Sequence, residues 1–394
     1  MGDRMHIVYV TGAFAQSRND VLEGMQFYVY KIAKYMKERG HDVTVLTVGS
    51  KEKRWNYKGI SVYSAVIPYK VRFNNCFTKY IVYTVVREGV FNKALHEIDK
   101  VKPISLVQYA GWYGVGMLYD RTFPSVLRIS TYVKAQLAWL HTPAEIALIA
   151  FAEKRAARNF NGVIAPSKIL ADIYRKETGR MVRIMETPYY SLDIAQENDI
   201  LYRTELVDKK YFLFFGRISQ DKGVYTIARV LENLLRKYPE YYFCFAGNNY
   251  VSENVDTMQM IKTKAGCYCD RVMYLGALTH ELLFPVIRNA ECIVMPSLMD
   301  NLPNACMEAL ELNGIVIGTR GASFDEIFED GISGFLIKID DSDELMQKID
   351  DVVQMTEDER KRMRWNAKLC LRKYKPQITG RKLEKYYYKL LACH

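Results

Sequence analysis

The chain of 394 residues lacks any apolar run of about 20 residues, the length a helix needs to cross a bilayer. Its first residues, MGDRMHIVYVTGAF, contain neither the apolar stretch of a secretion signal nor the hydroxyl residue of a myristoylation motif. Low-complexity tracts and long blocks of like charge are missing as well. These absences argue against a membrane-spanning or disordered protein, and they predict folded globular domains.

Closely spaced cysteines are almost absent. Of the eight cysteines, only Cys267 and Cys269 are close together, with one residue between them. That spacing fits neither a zinc site nor a redox pair. We expect reduced thiols, most of them in the core, and no bound metal. This use of cysteine indicates a reducing compartment, so we expect a cytoplasmic protein.

Positive charge is concentrated in the first half of the chain. Residues 1–190 hold 28 basic and 15 acidic side chains, whereas residues 191–394 hold 27 and 30. Residues 51–102 hold 11 basic and 4 acidic side chains, interleaved with aromatic ones. Such a region suits an anionic surface and favours peripheral binding at the inner face of a membrane, or a lipid diphosphate, over nucleic acid. The alternative is a solvated basic face above buried rings.

The apolar pattern alternates between strands and helices in both halves of the chain. A strand over residues 6–11, a helix over 22–39 that ends at a glycine, and a strand over 43–48 form a βαβ opening. The pattern fades between residues 187 and 211 and then restarts. At this length two domains are expected. We therefore predict an α/β protein with two doubly wound parallel sheets.

No G-x-G-x-x-G follows the first strand, where the text is TGAFAQ, and this disfavours a nicotinamide-dependent enzyme. The second half instead contains YFLFFGRISQDKG. Here a predicted strand ends at Gly216, and Arg217 and Lys222 follow on the loop before a helix. Two cations and a helix N-terminus at the carboxyl end of a strand predict a diphosphate site. The alternative is a surface loop with solvated charges.

A second loop, in CIVMPSLMDNLPNACMEAL, carries two acidic side chains. Asp300 lies just after a strand, and Glu308 lies one turn into the next helix. Backbone N–H groups at the helix start, near Asn304 and Ala305, suit phosphate oxygens, and a helix carboxylate suits a ribose diol. The alternative is that both acids only favour the helix dipole. Further on, Ser323 is predicted to cap the helix that holds Glu326.

These elements, FFGRISQDKG, FAGNN, the acidic pair, EALELNG and EDGISGFL, occur in this order. Together with EGMQFYVYKIAKYMKERGHDVTVLT near the start, they resemble the retaining glycosyltransferases of family four over nearly the whole chain. The resemblance implies the GT-B fold, with two Rossmann-like domains facing a central cleft. It implies an acceptor-binding domain at 1–190, a nucleotide-sugar domain at 191–370, and a helix at 371–394 that crosses back to the first domain.

The resemblance also implies residue roles. Arg217 and Lys222 would neutralise the donor diphosphate in place of a metal ion, Glu308 would bind the ribose hydroxyls, and Asp300 would face the sugar. No cofactor is implied beyond the donor substrate, with UDP or GDP as the expected nucleotide. The donor-binding set implied by the family comprises Gly24, Gly216, Arg217, Lys222, Asp300, Asn301, Leu302, Pro303, Asn304, Ala305 and Glu308.

The sequence departs from the family pattern at three places. Asp300 stands where the family has Glu, and only one glycine, Gly24, stands where the family has a pair. In LRISTYVKAQ the histidine that often lies beside the sugar is missing, so Ser130 or Thr131 takes its place. His141 lies further on. It is a weak candidate for this role and is better explained as a surface or core histidine.

The implied function is a retaining, metal-independent hexosyltransferase. Front-face attack on the donor would explain why the chain shows no constellation of nucleophile, His and acid. The expected acceptor is lipid-linked or a polysaccharide, in the assembly of cell envelope, capsule or exopolysaccharide. Two alternatives are a GT-B sugar-nucleotide epimerase and a non-catalytic binding or scaffold protein on the same fold.

Overall fold

The computed structural model describes residues 4–15, 17, 24–68, 76–136, 141–192, 197–252 and 255–393. In these ranges the chain divides into two compact units, Met1–Tyr190 with Tyr374–His394, and Ser191–Lys373. We refer to them as unit 1 and unit 2. Among the helices of the described ranges, none combines the length and apolar character that a bilayer crossing requires.

Unit 1 is built on an eight-stranded sheet. Its strands are β1 His6–Val10, β2 Asp42–Gly49, β3 Lys53–Tyr57, β4 Ile60–Val66, β5 Leu106–Gly111, β6 Ser125–Ile129, β7 Gly162–Ala165 and β8 Val182–Ile184. They are arranged in the order β3-β4-β2-β1-β5-β6-β7-β8. The helices of this part are α1 Gly24–Glu38, α2 Cys76–Val101, α3 Val133–Gln136, α4 Pro143–Asn159 and α5 Lys168–Thr178.

The strands of unit 1 pair in parallel, except that β3 runs antiparallel to β4. Residues of β1, β5 and β6 are buried along their whole length, as in a parallel sheet with both faces covered. The edge strand β3 reads KRWNY and is mostly exposed. Basic side chains on an edge discourage pairing with a second chain. Strands β2 to β4 lie on one side of β1 and strands β5 to β8 lie on the other, so the sheet is doubly wound.

Unit 2 repeats this plan with six parallel strands in the order β13-β10-β9-β14-β15-β16. They are β9 Lys210–Phe215, β10 Tyr241–Ala246, β13 Val272–Tyr274, β14 Ile293–Met295, β15 Val316–Thr319 and β16 Phe335–Ile337, and a separate hairpin is formed by β11 Val251–Ser252 and β12 Val255–Asp256. The helices are α6 Val224–Lys237, α7 Thr257–Lys264, α8 His280–Arg288, α9 Asn304–Glu311, α10 Ser342–Gln354 and α11 Glu357–Cys370. The predicted α/β class with two doubly wound sheets is confirmed.

The last helix, α12 Pro376–Leu391, belongs to unit 1. It packs on α1, where a side chain at Gly380 would come within 2.6 Å of the Tyr35 ring. The buried Glu384 carboxylate accepts a hydrogen bond from Arg39 Nε at 3.1 Å and lies 3.0 Å from His41 Nε2. The close packing and this charged cluster fix α12 against the end of α1.

Candidate functional site

The candidate site of unit 2 lies where the strand order reverses. After β9 the chain proceeds to β10 on one side, whereas β14 pairs with β9 on the other side. Loops that leave two such strands diverge, and ligands of doubly wound sheets bind at this point, beyond the carboxyl ends of the strands. The loop after β9 carries residues 216–223, and the loop after β14 carries residues 296–303.

The two loops contact each other through their backbones. Leu298 donates its N–H to the carbonyl of Asp221 at 3.0 Å. Gly223, with φ of +73°, precedes α6 and lies so close to Pro296 that a Cβ there would overlap the Pro296 carbonyl oxygen. Gly216, at the other end of the first loop, has φ of +127°. Both glycines therefore adopt conformations that other residues rarely adopt.

The predicted cations of the first loop are both paired with carboxylates. Lys222 Nζ lies 2.5 Å from Asp300 Oδ2, so the structure joins a predicted cation and a predicted acid across the two loops. Arg217 Nη2 instead lies 2.5 Å from Asp221 Oδ2 on its own loop. Asp221 also accepts a hydrogen bond from the buried Ser219 hydroxyl at 2.6 Å. Sequence reasoning did not identify Asp221.

The second loop is held in a strained conformation. Leu302 is nearly buried and has φ of +124°, a region that a residue with a side chain rarely enters. Asp300 Oδ1 accepts the N–H of Asn301 at 2.9 Å. Helix α9 begins at Asn304, as predicted, and Ala305 is its second residue. The residue before it, Pro303, supplies no side-chain cap for the first turn.

A third loop supports the second one. Ser323 follows β15 and has φ of +65°. The prediction that Ser323 caps a helix is wrong, because its hydroxyl makes no capping hydrogen bond to the short turn Phe324–Glu326. The hydroxyl donates instead to the carbonyl of Asp300 at 2.8 Å, and this fixes the backbone that carries the acid.

Glu308 lies on α9 with only 12% of its side chain exposed. Its Oε1 is 3.9 Å from Nε2 of His280, the first residue of α8. The exposed His280 ring stacks on Phe284 at 5.4 Å. Sequence reasoning missed His280, because its nearness to α9 depends on how two helices pack. Within the described ranges, no three His, Cys, Asp or Glu side chains come together as a metal site would require.

The other predicted residues lie in unit 1. Gly24 is the first residue of α1, with φ of +46° and open space around the position of a Cβ. Ser130 Oγ accepts a hydrogen bond from Arg128 Nη1 at 2.6 Å. Thr131 Oγ1 is buried without a hydrogen-bond partner in the described structure. His141 Nε2 lies 2.7 Å from the Tyr113 hydroxyl.

Sequence reasoning also missed a buried acid near the end of β6. Glu153 on α4 is buried and accepts the N–H of Val133 at 3.1 Å. Burial raises the pKa of Glu153 to about 8, because the charged form loses its hydration. The side chain is therefore mostly protonated at neutral pH and adds little negative charge to this part of unit 1.

Two family models match the chain. The model described as "Glycosyl transferase 4-like domain" matches residues 23–189, and the one described as "Glycosyl transferases group 1" matches residues 200–369. One relative, the GPI3 subunit of phosphatidylinositol N-acetylglucosaminyltransferase from Saccharomyces cerevisiae, is 20% identical over 78% of this chain and 67% of its own length. The phosphatidyl-myo-inositol mannosyltransferase of Mycolicibacterium smegmatis is 22% identical over 82% of this chain and 79% of its own.

Solved structures show the same fold. Sucrose-phosphate synthase from Thermosynechococcus elongatus superposes with a TM-score of 0.75 at 15% identity, covering 99% of this chain and 100% of that one. HepE from Anabaena, in complex with UDP-glucose, gives a TM-score of 0.72 at 14% identity, covering 98% and 100%. At these identities the likeness establishes the fold and leaves the substrates open.

Proposed function

Since this chain belongs to the glycosyltransferases described by these two family models, with the GT-B fold, we propose that it transfers a hexose from a nucleotide diphosphate sugar to a lipid-linked or glycan acceptor. Transfer proceeds with retention of the anomeric configuration and without a metal ion. Unit 2 binds the donor, with UDP or GDP as its nucleotide, and unit 1 binds the acceptor. The reaction serves the assembly of cell envelope, capsule or exopolysaccharide.

The observation that carries this proposal is the ion pair between Lys222 and Asp300 at the point where the sheet of unit 2 reverses its strand order. An ammonium group in this position can neutralise a departing diphosphate, and the carboxylate beside it can accept hydroxyl hydrogen bonds from a sugar. Arg217, which is half exposed, supplies a second positive charge on the same loop. Bound UDP-glucose in a solved GT-B relative supports the class of donor.

The remaining donor contacts follow from the same two loops. Glu308 is proposed to accept hydrogen bonds from the two ribose hydroxyls, which a carboxylate can bind together. Asn304 and Ala305 open α9, whose N-terminal dipole favours phosphate oxygens. Backbone around Gly216, Asn301, Leu302 and Pro303 is proposed to line the nucleotide, and Gly24 of unit 1 completes the proposed donor-binding set. Ser130, Thr131 and His141 are proposed for the acceptor and sugar side.

A test of the donor site combines a nucleotide panel with two variants of Glu308. We expect one of UDP, GDP, ADP and dTDP sugars to bind best, as measured by calorimetry. Glu308→Ala should weaken its affinity about ten- to a hundredfold, because charge-assisted hydrogen bonds to two hydroxyls are lost. Glu308→Gln preserves the volume and loses only the charge, so it should also weaken binding if the fold is intact. The anomeric configuration of the product, read by NMR, tests retention.

Glu281→Ala is the matched control, since it removes an exposed carboxylate on α8 beside His280. Its nucleotide affinity should equal that of the original protein. If a folded protein binds none of the sugars, the chain is a scaffold on a transferase fold and the proposal is wrong. If Glu308→Ala and Glu281→Ala behave alike, the ribose role of Glu308 is wrong.

The proposed location is cytoplasmic, with unit 1 bound peripherally to an anionic membrane surface through residues 51–102. Exposed apolar side chains lie near the start of α2, at Ile81, Tyr83 and Val85. Lys53 and Arg54 lie on the exposed edge strand β3, in the same basic region. Two lipid-modifying relatives support a lipid acceptor, and a basic face with apolar side chains suits an interface.

Liposome flotation tests this surface. With vesicles that contain phosphatidylserine, we expect most of the protein to float at low salt and to be released at high salt, because surface-charge attraction is screened. Charge reversal at Lys53 and Arg54 should lower the vesicle partition coefficient by at least about thirtyfold, because each basic side chain near the surface contributes about 1 kcal/mol. Lys361→Glu, an exposed charge reversal in unit 2, is the control. Protein that stays below the vesicles at low salt would rule out the surface.

A further inference from the structure

An arginine of unit 1 lies buried without a counter-ion among the residues that the structure describes. Arg128 is in β6, whose residues are buried throughout, and 6% of it is exposed. Its Nη1 donates to Ser130 Oγ at 2.6 Å, its Nη2 donates to Thr187 Oγ1 at 3.3 Å, and its Nε has no partner in the described structure. Burial lowers the pKa of Arg128, and the Tyr28 hydroxyl opposes this. In the described part of the chain, no carboxylate pairs with it.

Two other buried arginines of this protein are paired with carboxylates. Arg87 Nη2 lies 3.3 Å from Glu88 Oε1, and Arg360 is paired with Glu291. A buried cation without a carboxylate is costly, because the low dielectric of the interior replaces its hydration. Three neutral groups, two hydroxyls and a ring, cannot cancel a full charge. The site around Arg128 therefore favours an anion from outside the described structure.

The guanidinium is also held in place from below. It lies over the Tyr28 ring, 3.8 Å from the ring centre. The Tyr28 hydroxyl accepts a hydrogen bond from Gln108 Nε2 at 2.8 Å, and Gln108 Oε1 in turn accepts one from the Tyr387 hydroxyl of α12. A series of buried side chains thus fixes Arg128 through the sheet. Such a preorganised cation loses little freedom when an anion binds.

Arg128 lies where a ligand-binding side chain is expected. It is the fourth residue of the five-residue strand β6, and the neighbouring β5 ends at Gly111, whose carbonyl accepts the Ser130 N–H at 3.2 Å. The carboxyl ends of parallel strands are where ligands of these sheets bind. Thr131, which follows Ser130, has a buried hydroxyl with no partner in the described ranges. A ligand oxygen could use both the cation and the hydroxyl hydrogens.

We propose that Arg128, with the hydroxyls of Ser130, Thr131 and Thr187, binds a phosphate group of the acceptor. This rests on the proposed function only in assigning the acceptor to unit 1. A tetrahedral oxyanion offers oxygens in several directions, which matches a forked guanidinium flanked by hydroxyls. The phosphate can belong to a lipid headgroup or to a soluble phosphorylated acceptor. Both present the same chemistry to this site.

Thermal unfolding with inorganic phosphate as the probe tests the site, against chloride at equal ionic strength. Lys222→Met serves as the parent protein, because it removes the ammonium group proposed to neutralise phosphate in unit 2. At a phosphate concentration near ten times the dissociation constant, we expect Tm of this parent to rise by about 2–4 °C. The variant that adds Arg128→Met should show no phosphate-dependent rise.

The same variants separate a binding role from a structural one. Methionine removes the buried unpaired charge and keeps much of the volume, so without phosphate the added Arg128→Met should leave Tm equal or higher. An arginine that serves only the fold would give a lower Tm with this change. A lower Tm, or a phosphate response that survives Arg128→Met, overturns the proposal. The calorimetry on Glu308 reads unit 2, so failure of the donor assignment is distinguished from failure here.

Two further probes identify the source of the phosphate. Glucose 1-phosphate, tested by the same Tm shift, represents a soluble phosphorylated acceptor. Sedimentation with phosphatidylcholine vesicles that carry phosphatidic acid represents a lipid headgroup. We expect Arg128→Met to reduce one of these two interactions by about tenfold, the value of one charge-assisted hydrogen bond. Equal binding of both probes by the parent and by Arg128→Met would contradict an acceptor phosphate at this position.

Discussion

Replacing Lys222 by methionine should lower the turnover number of sugar transfer by about a hundred- to a thousandfold. This is the expected value of one positive group that stabilises charge developing on a leaving group. Lys222 has a second effect, because its Nζ lies 2.5 Å from Asp300 Oδ2. Methionine keeps the length of the side chain but leaves Asp300 without its counter-charge. The free carboxylate then repels the phosphates as well, so nucleotide affinity should also fall. Steady-state kinetics with the preferred donor measures both changes.

The control for Lys222→Met is Lys237→Met. Lys237 Nζ pairs with Asp350 Oδ2 at 2.6 Å elsewhere in unit 2. The substitution therefore removes an ion pair of the same kind. Its activity should be unchanged, because partly exposed pairs contribute little to stability. Adding Asp300→Asn to Lys222→Met should restore part of the nucleotide affinity, since the repulsive charge is removed. Full activity in Lys222→Met would show that the diphosphate is neutralised elsewhere.

Strands and helices with a clear pattern of apolar residues were predicted well from the sequence. The strand predicted over residues 6–11 is observed as His6–Val10, and the strand predicted over 43–48 as Asp42–Gly49. Both are bounded by glycine or by polar turns, so local signals mark their ends. The edge strand β3 was not predicted. Its text KRWNY is charged and lacks alternation, and only pairing with β4 makes it a strand.

The candidate site was likewise predicted only in part from the sequence. Each loop was located from the strand before it and the helix after it, and α9 begins at Asn304, where the start was predicted near Asn304 or Ala305. The pairing of Lys222 with Asp300 joins residues 78 positions apart, and no spacing rule predicts which of two nearby acids a cation takes. Asp221 pairs with Arg217 instead, for a reason that lies in loop geometry. His280 came near Glu308 only through the packing of α8 and α9.

One signal in the sequence was available but unused. Arg128 is the one charged residue in the strand text SVLRI, between apolar neighbours that predict burial. A charge in a strand buried on both faces needs a partner or a ligand, whatever family the chain belongs to. The family resemblance drew attention to the missing histidine at the next positions. The physical anomaly lies two residues earlier.

Gly223→Ala should be the most destabilising substitution in the site. A Cβ at this position would overlap the carbonyl oxygen of Pro296, and the backbone has φ of +73°. Overpacking costs about 1–3 kcal/mol and the left-handed conformation about 1–2 kcal/mol, so we expect the free energy of unfolding to fall by about 2–5 kcal/mol. Denaturant unfolding measures this change. Relief of the overlap requires the two loops to separate, which would break the Leu298–Asp221 hydrogen bond and displace Lys222 from Asp300.

Gly331→Ala isolates the steric part of this effect. Gly331 is also in unit 2 and has φ of +72°, but apart from its chain neighbours no described residue has an atom within 4 Å of the position of its Cβ. It should therefore lose only the conformational part, about 1–2 kcal/mol, and keep its activity. The difference in the free energy of unfolding between the two variants measures the steric cost of separating the loops after β9 and β14. If Gly223→Ala is no less stable than Gly331→Ala and still transfers sugar, the close contact with Pro296 is not what positions Lys222 and Asp300.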